Sequence, residues 1–148
     1  MTTKSFSPFV EEAEAVAPLQ VVGEQIRVLA PATRTGSYEI FLQSGSEGAG
    51  PPPHTHPWDE AYFVIEGRLE VLLGDRKMEV GAGKLVYVPR GTPHAFRILG
   101  PSTKFLSINS HGGASEFFSA VDRETGGTLD LPKLLSAAQR HQVAIAAP

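Results

Sequence analysis

The sequence predicts an all-β domain, a sandwich or barrel, with short helices at its C-terminal end. Three observations carry this reading. About eight short apolar runs rich in Val, Ile, Leu, Phe and Tyr follow one another from Leu19 to Ile108; glycine and proline mark most of the breaks between them; and helical spacing of apolar residues appears only after residue 113. Many short strands at this spacing argue for two packed sheets or a closed sheet, because one flat sheet would leave an apolar face in water.

Taken in order, residues 1–18 hold the acidic, alanine-rich patch Glu11-Glu12-Ala13-Glu14-Ala15 and close at Pro18, which reads as an arm packed on an edge or flexible. Leu19 to Leu29 is strand-like and broken at Gly23-Glu24 by a turn or bulge. Ser37 to Gln43 forms the next strand, and Ser44 to Pro53 a loop. Glu60 to Ile65 and Arg68 to Leu73 read as two strands flanking a turn at Glu66-Gly67, and Gly74-Asp75 leads by a second tight turn to Arg76 to Val80. Leu85 to Val88, Ala95 to Leu99 and Lys104 to Ile108 continue the series, with Gly100-Pro101 separating the last two. Beyond Gly112-Gly113, Phe117, Phe118 and Val121 fall at helical spacing. A second helix begins after Asp130, an N-cap residue, with Pro132 in the first turn and Leu131, Leu134, Leu135 and Ala138 as its apolar face. Both helices are expected outside the sheet, and Val143 to Pro148 is expected to be extended or frayed. The whole reads as one domain: arm 1–18, barrel 19–110, helical extension 113–148.

Composition limits the functions available. A 41% hydrophobic and 20% charged chain is a globular one, and with 13 basic against 16 acidic residues scattered along it there is no electrostatic footprint for nucleic acid. No apolar run approaches the roughly 20 residues that span a bilayer, and the start lacks a secretion-type apolar segment, so a cytoplasmic protein without nucleic-acid or membrane partners is expected. The absence of cysteine excludes a thiolate metal site and leaves only nitrogen and oxygen donors.

Those donors cluster. In extended chain, residues two apart face the same way, so His54 and His56 point to one side; Glu60 keeps the even parity and opens the run Ala61 to Ile65. His94 emerges from the turn Pro89-Arg90-Gly91-Thr92-Pro93 and supplies a fourth donor from a separate strand. Three imidazoles and a carboxylate suit one divalent transition-metal ion per chain, Mn, Fe, Co, Ni, Cu or Zn, and leave coordination positions for a small-molecule substrate. Parity from Glu60 sends Tyr62 and Val64 inward and parity from His94 sends Phe96 and Ile98 inward, so the pocket is expected to be apolar and partly aromatic, unless these side chains simply fill a small barrel. Trp58 and Asp59, beside the ligands, either shape the rim or set the bend, and Arg90 reads as a solvated turn residue. His111 and His141 lie outside the parity set and are read as structural.

These residues resemble the cupin superfamily. Its first motif, G-x5-HxH-x3,4-E-x6-G, is met by Gly48, His54, His56, Glu60 and Gly67, and its second, G-x5-P-x-G-x2-H-x3-N, by Gly83, Pro89, Gly91 and His94, with Ile98 where the pattern has Asn. The resemblance implies a double-stranded β-helix (jelly-roll) barrel, usually a homodimer, with the metal on the positions of His54, His56, Glu60 and His94. Weaker likeness around Pro89 to Phe96, Glu116-Phe117-Phe118 and the late helix points to the quercetin 2,3-dioxygenase-like single-cupin group. The activity implied is a metal-dependent dioxygenase acting on an aromatic or enolic, flavonol-like molecule, with Glu60 doubling as ligand and general base. The same resemblance leaves open a non-oxidative isomerase or cyclase and a binding protein without catalysis.

Overall fold

The computed structural model describes residues 5–110 and 112–146. Its strands are β1 (Leu19–Val21), β2 (Glu24–Ala30), β3 (Glu39–Gly45), β4 (His54–Thr55), β5 (Glu60–Leu73), β6 (Arg76–Gly81), β7 (Leu85–Val88), β8 (His94–Asn109) and β9 (Ala144–Ile145), with helices α1 (Ala32–Thr35), α2 (Ala114–Thr125) and α3 (Leu131–Arg140). All strand pairings are antiparallel and belong to one curled sheet.

Strand β8 is the hub. Its second half, Thr103 to Asn109, lies between β3 and the start of β5, while its first half, His94 to Leu99, pairs with the end of β5. The two strand pairs expected on either side of Glu66-Gly67 and of Gly100-Pro101 are therefore two long strands, each continuous through its break. The reason is visible in the register: the shifts in β5 between Val64 and Arg68 stand opposite the stretch of β8 between Leu99 and Lys104, so both strands bend together and neither needs to turn back. Gly67 is required there because a Cβ would come within 2.3 Å of Thr103 Oγ1. Gly74-Asp75, by contrast, does form the two-residue hairpin turn, with Leu73 opposite Arg76.

Two apolar cores fill the interior. Tyr62, Val64, Leu69, Val71, Val80, Val86, Val88, Phe96, Ile98 and Phe105 form one, between β5, β6, β7 and β8. Val21, Ile26, Phe41 and Trp58 form the other, together with Phe117, Ala120 and Val121 of α2 and Leu134, Ala137 and Ala138 of α3. The helices thus do not lie outside the sheet. They close the end of the barrel that β1, β2 and β3 leave open, because Ile26 and Phe41 face inward there and would otherwise meet water.

Each helix is tied down by a carboxylate. Asp130 caps α3 as its sequence position predicts, accepting from Lys133 N at 3.2 Å. The N-terminal residue before α2 is Gly113, which has no side chain to cap with; buried Glu39 does so from β3, accepting from Ser115 N at 3.0 Å and also from Ala32 N of α1 at 3.0 Å. Gln20 N donates to Asp122 Oδ1 at 2.8 Å and joins β1 to α2. On α3 the buried face is Leu134, Ala137 and Ala138, whereas Leu131 and Leu135, expected inside, are exposed. Ala137, together with Leu134 and Ala138, takes the inward side in their place. The N-terminal arm packs over α1: Arg34 pairs with Glu11 and covers the Phe9 ring at 3.7 Å.

Candidate metal centre

Three separate segments bring the histidines together. β4 is only two residues long, but His54 pairs with His94 of β8 on one side and with Ile145 of β9 on the other. The preceding loop is pinned to β8 by Gly48 N to Ile98 O and Ile98 N to Ala49 O, each 2.8 Å. Gly50 is needed in it because a Cβ would lie 2.1 Å from Phe96 O. His56 O accepts from Gly91 N at 3.0 Å, which joins the first histidine segment to the turn before His94.

The ring centroids lie 5.5 Å apart for His54 and His56, 4.3 Å for His54 and His94, and 4.7 Å for His56 and His94. One ring nitrogen from each falls within 4.8 Å of the other two, so the three histidines can hold a metal ion. The hydrogen bonds say which nitrogen. Nδ1 of His54, His56 and His94 donates to the carbonyl of Pro52, Trp58 and Thr92 at 2.9, 2.9 and 2.8 Å. A carbonyl can only accept, so each Nδ1 carries the proton and each Nε2 is the atom left to bind an ion. His94 Nε2 is buried without a hydrogen-bond partner among the described residues, as expected of an atom whose natural partner is a cation.

Glu60 joins this group. Its Oε2 lies 2.6 Å from His56 Nε2 and 3.6 Å from His94 Nε2. Burial works against its charge, but the imidazoles of His56 and His94 beside it overcome that cost and hold the carboxyl well below the usual carboxylate range. For His54, burial first and the charge of His94 second lower the pKa to about 4, so it stays neutral and able to bind a metal near pH 7. Three imidazoles oriented with Nε2 towards one another, with an ionised carboxylate beside them, are donors of the kind a first-row transition ion takes.

The neighbours hold this arrangement in place. Trp58 is buried and stacks on the His56 ring at 4.5 Å and 9°, so it supports a ligand from behind. Asp59 sets the bend: it accepts from Arg90 N, Nε and NH2 at 2.9, 3.1 and 2.8 Å and from Ser110 Oγ at 3.1 Å. Those bonds, those of Arg90 above all, hold its pKa far below the ordinary value. Arg90 is consequently a strut between the two ligand segments and not a free turn residue. His141 stands at the C-terminal end of α3, 6.0 Å from the Phe117 ring and outside the cluster, and His111 lies outside the described residues.

His54 and His56 open onto a cavity of ≈ 60 Å³ walled by Trp58, Tyr62, Phe96, Phe117, Phe118 and Leu134, so the C-terminal helices supply part of its lining. Tyr62 and Phe96 face it as their parity predicts. Val64 and Ile98 point inward too, but they are fully buried among Leu69, Val71 and Phe105 and fill the barrel. Burial first, then the neighbouring Glu60 carboxylate, push the Tyr62 hydroxyl well above its usual pKa, so it is a neutral phenol. Two further lining residues, Glu24 and Gln43, escape sequence reading because Gly23-Glu24 looks like a turn. The available signal was parity: Glu24 shares a face with Ile26, and Gln43 with Phe41.

Fold and cluster together define a small curled β-sheet domain with three histidines that could hold a metal ion and Glu60 beside them. Comparison with known proteins agrees. The cupin domain family matches residues 41–109. The chain is 31% identical over 102 residues to quercetin 2,3-dioxygenase of Bacillus subtilis (strain 168), covering 67% of this chain and 30% of that protein. It is 33% identical over 77 residues to the uncharacterized protein SCO3923 of Streptomyces coelicolor, covering 52% and 73%. Among solved structures, the polyketide cyclase RemF from Streptomyces resistomycificus superposes with a TM-score of 0.60 at 26% identity, over 74% of this chain and 80% of that one. The chain belongs to the cupin superfamily. It spans less than a third of the dioxygenase it matches.

Proposed function

We propose that this chain is a metal-dependent cupin enzyme, a dioxygenase-type oxidoreductase acting on a small aromatic or enolic molecule of the flavonol kind. The observation that carries the reading is the convergence of three Nε2 atoms, each with its Nδ1 proton parked on a carbonyl, beside the ionised Glu60 at the inner end of an aromatic cavity. His54, His56, Glu60 and His94 hold one divalent ion, Mn, Fe, Co, Ni, Cu or Zn. When bound, that ion supplies Lewis acidity and, for a redox metal, a route for electrons between substrate and dioxygen. The chain does the rest. Trp58, Phe96 and Phe117 orient a planar ligand and exclude water, and Glu60 receives the proton of the substrate hydroxyl on a carboxylate oxygen. Similarity to the Bacillus subtilis quercetin 2,3-dioxygenase supports this reading.

Oxygen-electrode assays with the Mn, Fe, Co, Ni and Cu forms against a flavonol and other enolic aromatics test it. Consumption with at least one pair is expected, and silence throughout overturns it. The likeness to a polyketide cyclase favours a second reading, a non-oxidative isomerase or cyclase using the same ligands, for which turnover is unchanged when air is removed.

A cytoplasmic homodimer is part of the proposal. Phe63, Ile65, Leu85, Tyr87 and Ile108 are exposed on the outer face of β5, β7 and β8, and β5 pairs with both of the others there. A continuous apolar face of this kind is unusual on a monomer and suits a second copy.

A further inference from the structure

The metal ligands leave two cavity residues without a task. Glu24 and Gln43 are both buried, at 4% and 3% exposure, and both line the cavity. Glu24 stands opposite Gly45 and Gln43 opposite Ile26, so the two side chains are diagonal neighbours on the inward face of β2 and β3, and Gln43 Nε2 donates to Glu24 Oε1 at 2.9 Å. Apolar side chains of similar shape would fill this position at no cost in stability, whereas a buried polar pair is costly unless every group is satisfied. It is not satisfied: Gln43 Oε1 is buried with no hydrogen-bond partner among the described residues. Nor does Glu24 have a salt-bridge partner among them. Burial first, with the charge of Glu60 adding to it and the Gln43 hydrogen bond opposing it, raises the Glu24 carboxyl to about 8. Near neutral pH it is a protonated acid and therefore a donor.

We propose that Glu24 and Gln43 form an uncharged subsite that reads a hydroxyl group: the ligand hydroxyl donates to Gln43 Oε1 and accepts from the Glu24 carboxyl. The ligand class is a small neutral aromatic or enolic molecule bearing a hydroxyl. Its ring packs against Trp58, Phe96 and Phe117, and in the metal-free protein an anionic group is turned away because it meets two oxygens and no Lys or Arg lines the cavity. The inference rests on the reading above only in taking the cavity as a small-molecule site; it needs neither the metal nor dioxygen.

Phenol, toluene and benzoate are the probes, titrated into chelator-treated full-length protein at pH 6.5 and followed by NMR chemical-shift changes. Phenol is expected to bind at least about 10-fold more tightly than toluene, and benzoate more weakly than phenol. Gln43→Leu and Glu24→Leu should bring phenol and toluene within about 2-fold of each other, while Glu24→Gln, which keeps a neutral donor, should retain the preference. Circular dichroism verifies that each variant keeps its sheet. A wild-type protein without the phenol preference, or a Gln43→Leu variant that keeps it, overturns the proposal. Oxygen consumption is read separately on the metal-loaded protein. Silence there with an intact phenol preference retires the oxygenase reading and leaves the subsite standing; consumption without the preference does the reverse.

Discussion

The two halves of the barrel interior are built by the same rule and do opposite things. Along β5 and β8 alternate side chains point inward, and at one end these are Val64, Leu69, Ile98 and Phe105, packed with no polar group among them. At the other end the cavity is bounded by His56, Glu60, Glu24 and Gln43, and the space they leave is closed by α2 and α3 instead of by strands. The comparison teaches that strand alternation decides only which residues share the interior. Whether they become core or site depends on what covers them and on whether their polar atoms find partners.

Even the two buried carboxylates of the site end separate. Glu60 has imidazoles beside it and keeps its charge, while Glu24 has only an amide and keeps its proton. The packed end is expected to respond to mutation in stability and the site end in binding. Phe105→Ala should produce the largest stability loss, about 3–5 kcal/mol by urea unfolding, with metal content per folded chain unchanged. A parallel loss of metal would show that the two ends are not independent. His94→Ala should lower metal affinity at least about 100-fold while the thermal unfolding of the metal-free protein stays cooperative, since loss of an outer partner alone costs roughly 10–100-fold. Full metal content in this variant, measured by elemental analysis, would remove His94 from the ligand set.

Glu24→Gln should stabilise the metal-free protein, and by an amount that depends on pH. The unfolded carboxyl releases its proton near 4.5, whereas the folded one keeps it until about 8, so the wild type binds more protons folded than unfolded across that window. Its stability is therefore full below 4.5 and declines as the pH rises towards 8; the glutamine variant lacks this decline. The gap should open to on the order of 2 kcal/mol by pH 8.5, less than the full shift implies because a buried ion draws in water. An equal gap at pH 5 and pH 8.5 would mean that Glu24 is not held neutral. The smallest effect is expected outside the barrel. Leu85→Glu should shift the proposed dimer to monomer in sedimentation equilibrium while leaving metal content intact, and an unchanged mass would exclude this face as the contact.

Much of this was legible in the residues themselves. Parity placed His54, His56 and Glu60 on one side, Gly74-Asp75 announced its hairpin and Asp130 its cap. All of these are local: each depends on bond geometry within a few residues. Glu66-Gly67 and Gly100-Pro101 misled for the same reason, because a glycine that turns a chain and one that bends it beside a neighbour have the same local signature. The closeness of Thr103 distinguishes them only once β5 and β8 are paired. What the amino-acid order determined by itself was thus which side chains lie on which face. The tertiary structure alone decided that α2 and α3 roof the cavity and that Glu24 lacks a counter-charge among the described residues, because each is set by groups distant in the chain, whose approach depends on how the whole sheet curls.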